Sequence, residues 1–156
     1  MPESRALPPF DPGAIDHRQL RDLHAYWLSR HAEGALPGRR SLDPLDVPHL
    51  LPYMMLIDVW HEPFDLRYRL VGTALVDHMG RDTTRMRVED AYVGADWPKV
   101  EQDYKTAIFD KRPVLRRNEG LDASGRRFAY ERLLLPLSAD GLRVDMLLGG
   151  AVFEEA

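Results

Sequence analysis

The hydrophobic pattern changes period along the chain, and the changes mark its elements. In LRYRLVGTALVDHMGRD, from Leu66 to Asp82, an alternating strand breaks at Gly72 and passes directly into a short helix capped by Thr73. A shift of period from two to nearly four is the mark of a strand feeding a helix. Upstream, MMLIDVW (Met54 to Trp60) is a nearly continuous apolar run, as expected of a strand covered on both faces. HEPFD joins the two runs as a hairpin, so they are predicted to pair antiparallel. Trp97, Val100, Tyr104, Ala107 and Ile108 line one face of a helix that Asp96 caps and Pro113 ends. Three more strands are predicted at Val114 to Leu121, Arg127 to Leu137 and Leu142 to Phe153, with turns at Asp122 to Arg126 and at Asp140-Gly141. Residues 54–153 therefore read as strand, strand, helices, strand, strand, strand, an α+β arrangement.

The amino-terminal part follows another pattern. Residues 1–15 hold four prolines and little periodic hydrophobicity, which predicts a flexible leader. Residues 16–34 predict a helix: Asp16 and Gln19 have the form of a capping box, Leu20, Leu23 and Trp27 recur at helical spacing, and Gly34 supplies a left-handed stop. A helix this short is marginal in water, so its stripe must cover either the domain's own sheet or a second subunit. The second option makes Leu20, Leu23 and Trp27 candidate dimer contacts. Residues 35–156 read as a single domain, opening with an irregular proline-rich connector in which Ser41 and Asp43 can cap single turns.

Composition narrows the function classes. The 156 residues suit one core, and 44% hydrophobic with 29% charged residues is ordinary globular usage. A formal charge of -4 creates no field for polyanions, so nucleic acid is not an expected partner. The absence of cysteine removes disulfides, thiolate metal sites, thiol nucleophiles and sulfur-linked chromophores. MPESRALPPFDPG lacks the apolar core of a signal peptide, and no apolar run approaches the roughly 20 residues that span a bilayer, so a cytoplasmic, membrane-free location is expected.

The order of elements resembles the PAS-domain superfamily. SLDPLDVPHLLPYMMLIDVW (Ser41 to Trp60) and RYRLVGTALVDHMGRDTT (Arg67 to Thr84) are similar to small, largely stand-alone bacterial PAS proteins of the alphaproteobacterial type. One departure is Arg85, where such proteins commonly carry Gly after an Asp-x-Thr turn. The resemblance implies a PAS-like five-stranded antiparallel sheet with helices on one face and an added amino-terminal amphipathic helix. It further implies a cup that can hold a small molecule and homodimer contacts that pass a signal in trans. Flavin-cysteinyl photochemistry and thioester-linked chromophores need the missing cysteine. Haem-binding members commonly place a histidine on the long helix, where Trp97 to Lys111 has none, so haem is not expected and only His78 lies nearby.

Candidate chemistry is sparse. His17, His24 and His31 are seven residues apart, about 10 Å along a helix, too far to chelate one ion. No metal is expected; the histidines should flank a dimer seam and weaken it by repulsion at mildly acid pH. Tyr68, Trp97, Tyr104 and Tyr130 should point inward, and together with Arg69 and His78 they are the candidate ligand-pocket residues. Asp58 should pair with Arg67 or Arg69 across the hairpin. Arg112 and Arg116 followed by Asp122-Ala-Ser-Gly resemble in part a cyclic-dinucleotide receptor of the PilZ type, but Arg127 stands where its last glycine belongs. Enzyme signatures such as Gly-x-Ser-x-Gly or a P-loop are absent. The expected function is a non-enzymatic sensory or protein-interaction module that binds an unidentified small molecule or protein partner. The alternatives are a cone-shaped α+β isomerase or dehydratase using Asp58 and His78, or a ligand-free dimerisation scaffold.

Overall fold

The computed structural model describes residues 9–92, 97–122 and 124–155. Five strands, β1 (Met54–His61), β2 (Phe64–Val71), β3 (Val114–Leu121), β4 (Arg127–Leu137) and β5 (Met146–Glu155), form one antiparallel sheet in the order β2-β1-β5-β4-β3. Ile57 pairs with Tyr68 while Leu56 pairs with Leu70, which leaves Arg69 as the extra residue of a β-bulge. The last strand starts four residues later than its apolar pattern suggests. Leu142 and Arg143 are tied into the preceding turn, where their backbone N–H groups donate to Asp140 Oδ1 at 2.8 and 3.0 Å.

Side chains alternate across this sheet, and both faces are covered. Met55, Ile57, Leu134 and Leu147 face an inner core shared with α2 (Thr73–Met79), α3 (Val88–Ala91) and α4 (Trp97–Phe109). Met54, Leu56, Leu133, Leu135 and Leu148 face an outer core closed by α1 (Arg18–Ser29). The continuous apolar run of β1 follows directly from having helices on each side.

Leu20, Leu23 and Trp27 are 0%, 1% and 4% exposed against the chain's own sheet. Of the two covers open to this stripe, the structure shows the chain's own sheet. Trp27 Nε1 donates to the Pro136 carbonyl at 2.9 Å. Gly150 seats the helix: a Cβ there would stand 2.7 Å from both Leu20 Cδ2 and Leu23 Cδ2.

Both ends of α1 differ from the capping pattern in the sequence. Asp16 makes no cap; His17 holds the cap position without its side chain bonding the helix's free N–H groups, and the backbone N–H groups of Asp16 and His17 donate at 2.9 Å to the Glu131 carboxylate on β4. A buried strand residue thus satisfies the helix entrance from a distance. The helix stops at Ser29 because Glu33 and Gly34, with φ of 52° and 77°, form the centre of a tight turn that brings Ala32 against Ala35. Thr73 is likewise the first helical residue of α2 and not its cap. Gly72 takes the cap position because a Cβ there would lie 2.4 Å from the Leu51 and Pro52 carbonyl oxygens. Arg85 adopts φ 73°, the left-handed backbone that a glycine takes without strain. Asp43 caps its turn as its spacing suggests, accepting from Leu45 N–H at 2.9 Å. Asp96 lies outside the described residues. Among the described residues, no helix is long and apolar enough to cross a membrane.

Candidate functional site

The inner face of the sheet buries a charged and phenolic network beneath α4. Arg132 projects from β4 toward Asp103 of α4, and their side chains are 3% and 4% exposed. Arg132 Nη2 donates to Asp103 Oδ2 at 2.6 Å, and Arg132 Nη1 donates to the Tyr92 hydroxyl at 3.0 Å. Arg116, opposite Arg132 on β3, donates from Nε to Asp103 Oδ2 at 2.9 Å and from Nη2 to Oδ1 at 2.6 Å. Two like charges facing each other across a strand pair would repel. The carboxylate between them converts the pairing into a bridge.

The phenols continue the network. The Tyr92 and Tyr104 hydroxyls are 2.9 Å apart, and Tyr104 lies under the Arg132 guanidinium, 5.2 Å from ring centre to Cζ. Tyr68 is buried in the same inner core as Tyr104. Burial raises the pKa of both Tyr68 and Tyr104 well above the ordinary phenol value, with the neighbouring Tyr92 acting in the same direction. Both are therefore neutral hydrogen-bonding groups at physiological pH. Burial opposes the charge of Arg132, but the phenols of Tyr92 and Tyr104 and the Asp103 carboxylate outweigh it and raise its pKa. Tyr68 and Tyr104 thus stay protonated and Arg132 stays charged near neutral pH.

Of the six pocket candidates, Tyr68 and Tyr104 belong to this network. Trp97 borders it, with its ring 6.0 Å from Tyr104 and its Nε1 donating to Glu101 at 3.2 Å. Tyr130 and His78 lie to one side in an aromatic stack. His78 is parallel to Phe153 at 3.8 Å and edge-on to Phe128 at 4.4 Å, while Tyr130 is 6.0 Å from Phe153. Burial lowers the His78 pKa, against a weaker opposing pull from Asp122. Arg69 does not join the site: it follows the inward-facing Tyr68 and so faces outward, where its Nε holds both oxygens of Asp58 at 3.0 and 2.9 Å. Asp58 follows the inward-facing Ile57 on β1 and so faces the outer side of the sheet, whereas His78 packs on the inner side. The two cannot act on one substrate as an acid–base pair.

Asp103, Arg132, Tyr92 and the bridging role of Arg116 escaped the reading of the sequence. A signal was present for two of them. Asp103 falls three residues after Val100 and beside Tyr104, on the apolar face of α4, and Arg132 interrupts the inward positions of a strand that is otherwise apolar to Leu137.

The cup is filled by these side chains. Two small cavities among the described residues measure about 10 and 20 Å³, room for roughly one water each. The larger lies at the edge of the domain between Phe64, Arg87 and Trp97, and the smaller on the outer face between Tyr26, Met54 and Leu148.

Comparison with known proteins places this architecture. The sequence model described as PAS domain matches residues 15–152. No curated protein matches the sequence. Among solved structures, a light-oxygen-voltage domain studied with a flavin analogue is similar, with TM-score 0.54 and 13% identity over 70% of this chain and 82% of that one. A light-oxygen-voltage protein of Rhodobacter sphaeroides matches with TM-score 0.52 and 13% identity over 88% of this chain and 68% of that one. The corresponding domain of a blue-light-activated histidine kinase of Erythrobacter litoralis matches with TM-score 0.53 and 19% identity, over 68% of this chain and 99% of that one. At these identities the likeness concerns the fold.

Proposed function

We propose that this chain, which belongs to the PAS domain family, works in the cytoplasm as a non-enzymatic interaction module whose cup is closed by its own side chains. The observation that carries this reading is the Asp103–Arg116–Arg132 bridge with its three tyrosines, which fills the space between α4 and the sheet. Ligand pockets typically need about 300 Å³ or more. The cavities of about 10 and 20 Å³ fall far short of that. One similar structure is named for a flavin analogue; in this chain the space between α4 and the sheet is taken by Tyr68, Tyr104 and the buried ion pair, and no cysteine is present for a flavin-cysteinyl bond, which supports the closed reading. Signalling would then pass to a protein partner through surface contacts in trans, by a shift between conformations of the helices on the sheet.

One observation favours a second reading, in which a small polar ligand enters the cup. The Nε of Arg132 is buried without a protein partner among the described residues, and an unmet buried donor is costly unless something else meets it. Native mass spectrometry of protein purified from its own host, set beside the denatured chain, separates the two. A mass equal to the polypeptide or its integral multiples supports the closed interaction module. A retained small-molecule mass overturns it in favour of the second reading.

A further inference from the structure

The outer face of the sheet carries a second ionic cluster, which none of the preceding roles uses. His17 sits at the entrance of α1 with both ring nitrogens against carboxylates: Nδ1 is 2.9 Å from Glu131 Oε1 and Nε2 is 2.6 Å from Glu154 Oε1. A carboxylate only accepts hydrogen bonds, and a neutral imidazole carries one N–H. Both contacts are hydrogen bonds only when the ring is an imidazolium. Glu131 is fully buried on β4, while Glu154 on β5 is 60% exposed.

We propose that the docking of α1 is proton-gated: protonated His17 clamps the first turn of the helix to β4 and β5, and its deprotonation breaks the tie to β5 and loosens that end on the sheet.

The surrounding charges set the direction. Facing His17 are Glu131 from β4 and Glu154 from β5; Arg117 from β3 reaches the same cluster, bonding Asp16 at 2.6 Å and standing 3.5 Å from Glu131. On the helix side, Arg21 donates to the carbonyls of Ile15 and Asp16 at 3.0 and 2.7 Å. Three carboxylates thus face two guanidinium groups, and the imidazolium completes the balance. When it loses its proton, Nε2 and Glu154 Oε1 become two acceptors in contact, and the exposed glutamate swings into water. Glu131 then keeps the two backbone N–H groups and Arg117, but the bridge to β5 is gone.

The pKa of His17 agrees with the geometry: partial burial pulls it down, and the hydrogen bonds and charges of Glu154 and Glu131 outweigh that and raise it above 6.5. A raised folded-state value means that the clamp's contribution is complete below 6.5 and is lost as pH rises through the folded value. This is the reverse of the acid-weakened seam that the histidine spacing suggests. On the same helix His24, whose pKa burial lowers, acts with the opposite sign as pH drops through 6.5, so the clamp is read at His17 itself. His24 is buried between Phe10 and Trp27, and His31 bonds the Trp27 carbonyl at 3.0 Å.

The test is a nitrogen-15 NMR titration of the full chain combined with amide hydrogen exchange. At about pH 6 both ring nitrogens of His17 should be protonated, and the midpoint should lie above that of a free histidine. Protection factors at the Asp16 and His17 amides, corrected for intrinsic exchange, should fall several-fold between about pH 5.5 and pH 8.5. In Glu154→Gln, a change at an exposed site that leaves the fold intact, the midpoint should drop toward the free value. His17→Gln should abolish the pH dependence of protection. A neutral single-proton ring at about pH 6, or protection that is flat with pH in the wild type, overturns the proposal. So does an unshifted midpoint in Glu154→Gln.

Discussion

Removing the two partners of the buried ion pair should have very unequal effects, because only one of them can be replaced by water. In Asp103→Ala the carboxylate is lost to both arginines. Arg116, at 37% exposed, can turn into solvent, but Arg132, at 3%, cannot, and it is left as a buried cation with the Tyr92 hydroxyl and the Tyr104 ring in place of a carboxylate. Stranding one member of a buried pair costs about 3–5 kcal/mol. In Arg132→Met the buried cation disappears with its charge, and Asp103 retains the two-pronged grip of Arg116 at 2.9 and 2.6 Å. What remains is the loss of one hydrogen bond at Asp103 and one at Tyr92, set against the burial of an apolar side chain of similar length, a net cost of about 1 kcal/mol. Asp103→Ala should therefore be less stable than Arg132→Met by about 2–4 kcal/mol, a large share of the 5–15 kcal/mol typical of a domain. Urea unfolding followed by circular dichroism measures this directly. With slopes of about 1–3 kcal/mol per molar urea, the midpoints should separate by about 1 M or more. Equal midpoints, or a lower one for Arg132→Met, would refute the claim that the desolvated guanidinium dominates this site.

Three further outcomes follow from the outer face. Gly150→Val places branched carbons where a single Cβ already stands 2.7 Å from Leu20 and Leu23, so it should cost about 1–3 kcal/mol and raise the susceptibility of α1 to limited proteolysis. Trp27→Phe leaves the buried Pro136 carbonyl without its donor and should lower stability by about 1–2 kcal/mol in the same urea assay. Burial, and secondarily the charge of His31, hold the His24 pKa below 6.5, so the unfolded chain takes up that proton first and stability falls as pH drops through 6.5. His24→Phe should flatten this acid limb in thermal unfolding at about pH 7.5 and 5.5, and an unchanged limb would show that His24 does not titrate differently on folding.

Much of the fold was legible because hydrophobic period and turn chemistry agreed. The bounds of β3 and β4 coincide with their apolar patterns, Gly80 ends α2 with φ 75°, and the alternation of β2 places Leu66 and Tyr68 in the inner core. The errors arose where a distant residue overrode a local signal. Asp16 and Gln19 spell a capping box, yet the carboxylate that receives the entrance N–H groups of α1 comes from Glu131, more than a hundred positions along the chain. No local pattern contains that partner. The pocket candidates failed in a different way. Aromatic residues announce an interior by their size, so Tyr68, Trp97 and Tyr104 were found, but the charges that organise them read as solvated surface until their strand register is known. Arg69 follows the inward-facing Tyr68 directly, so simple alternation already sends it to the outer face; what the bulge reverses is Leu70, which packs in the outer core.

The two buried clusters meet in one dipeptide. Glu131 and Arg132 are adjacent on β4, so their side chains leave the sheet on opposite faces, one under α1 and the other under α4. On β3 the opposed residues are Arg117 and Arg116, which places an arginine beside each of them. On the outer face the arginine meets a glutamate, and the pair needs only the backbone and imidazole donors of α1 to saturate it. On the inner face the arginine meets another arginine, and the face is stable only because α4 supplies Asp103. Each helix therefore carries the complement of the charge that the sheet presents to it: donors from α1 for a buried anion, a carboxylate from α4 for buried cations. A slip of β4 by one residue would send the anion to α4 and the cation to α1, so these charges specify register where the leucines on either side of the strand would tolerate the slip. The same arrangement gives the two faces different chemistry. On the inner face the arginines keep their charge near neutrality, since the pKa of both Arg116 and Arg132 is raised. The outer one includes an imidazole, the group among these whose charge changes in that range.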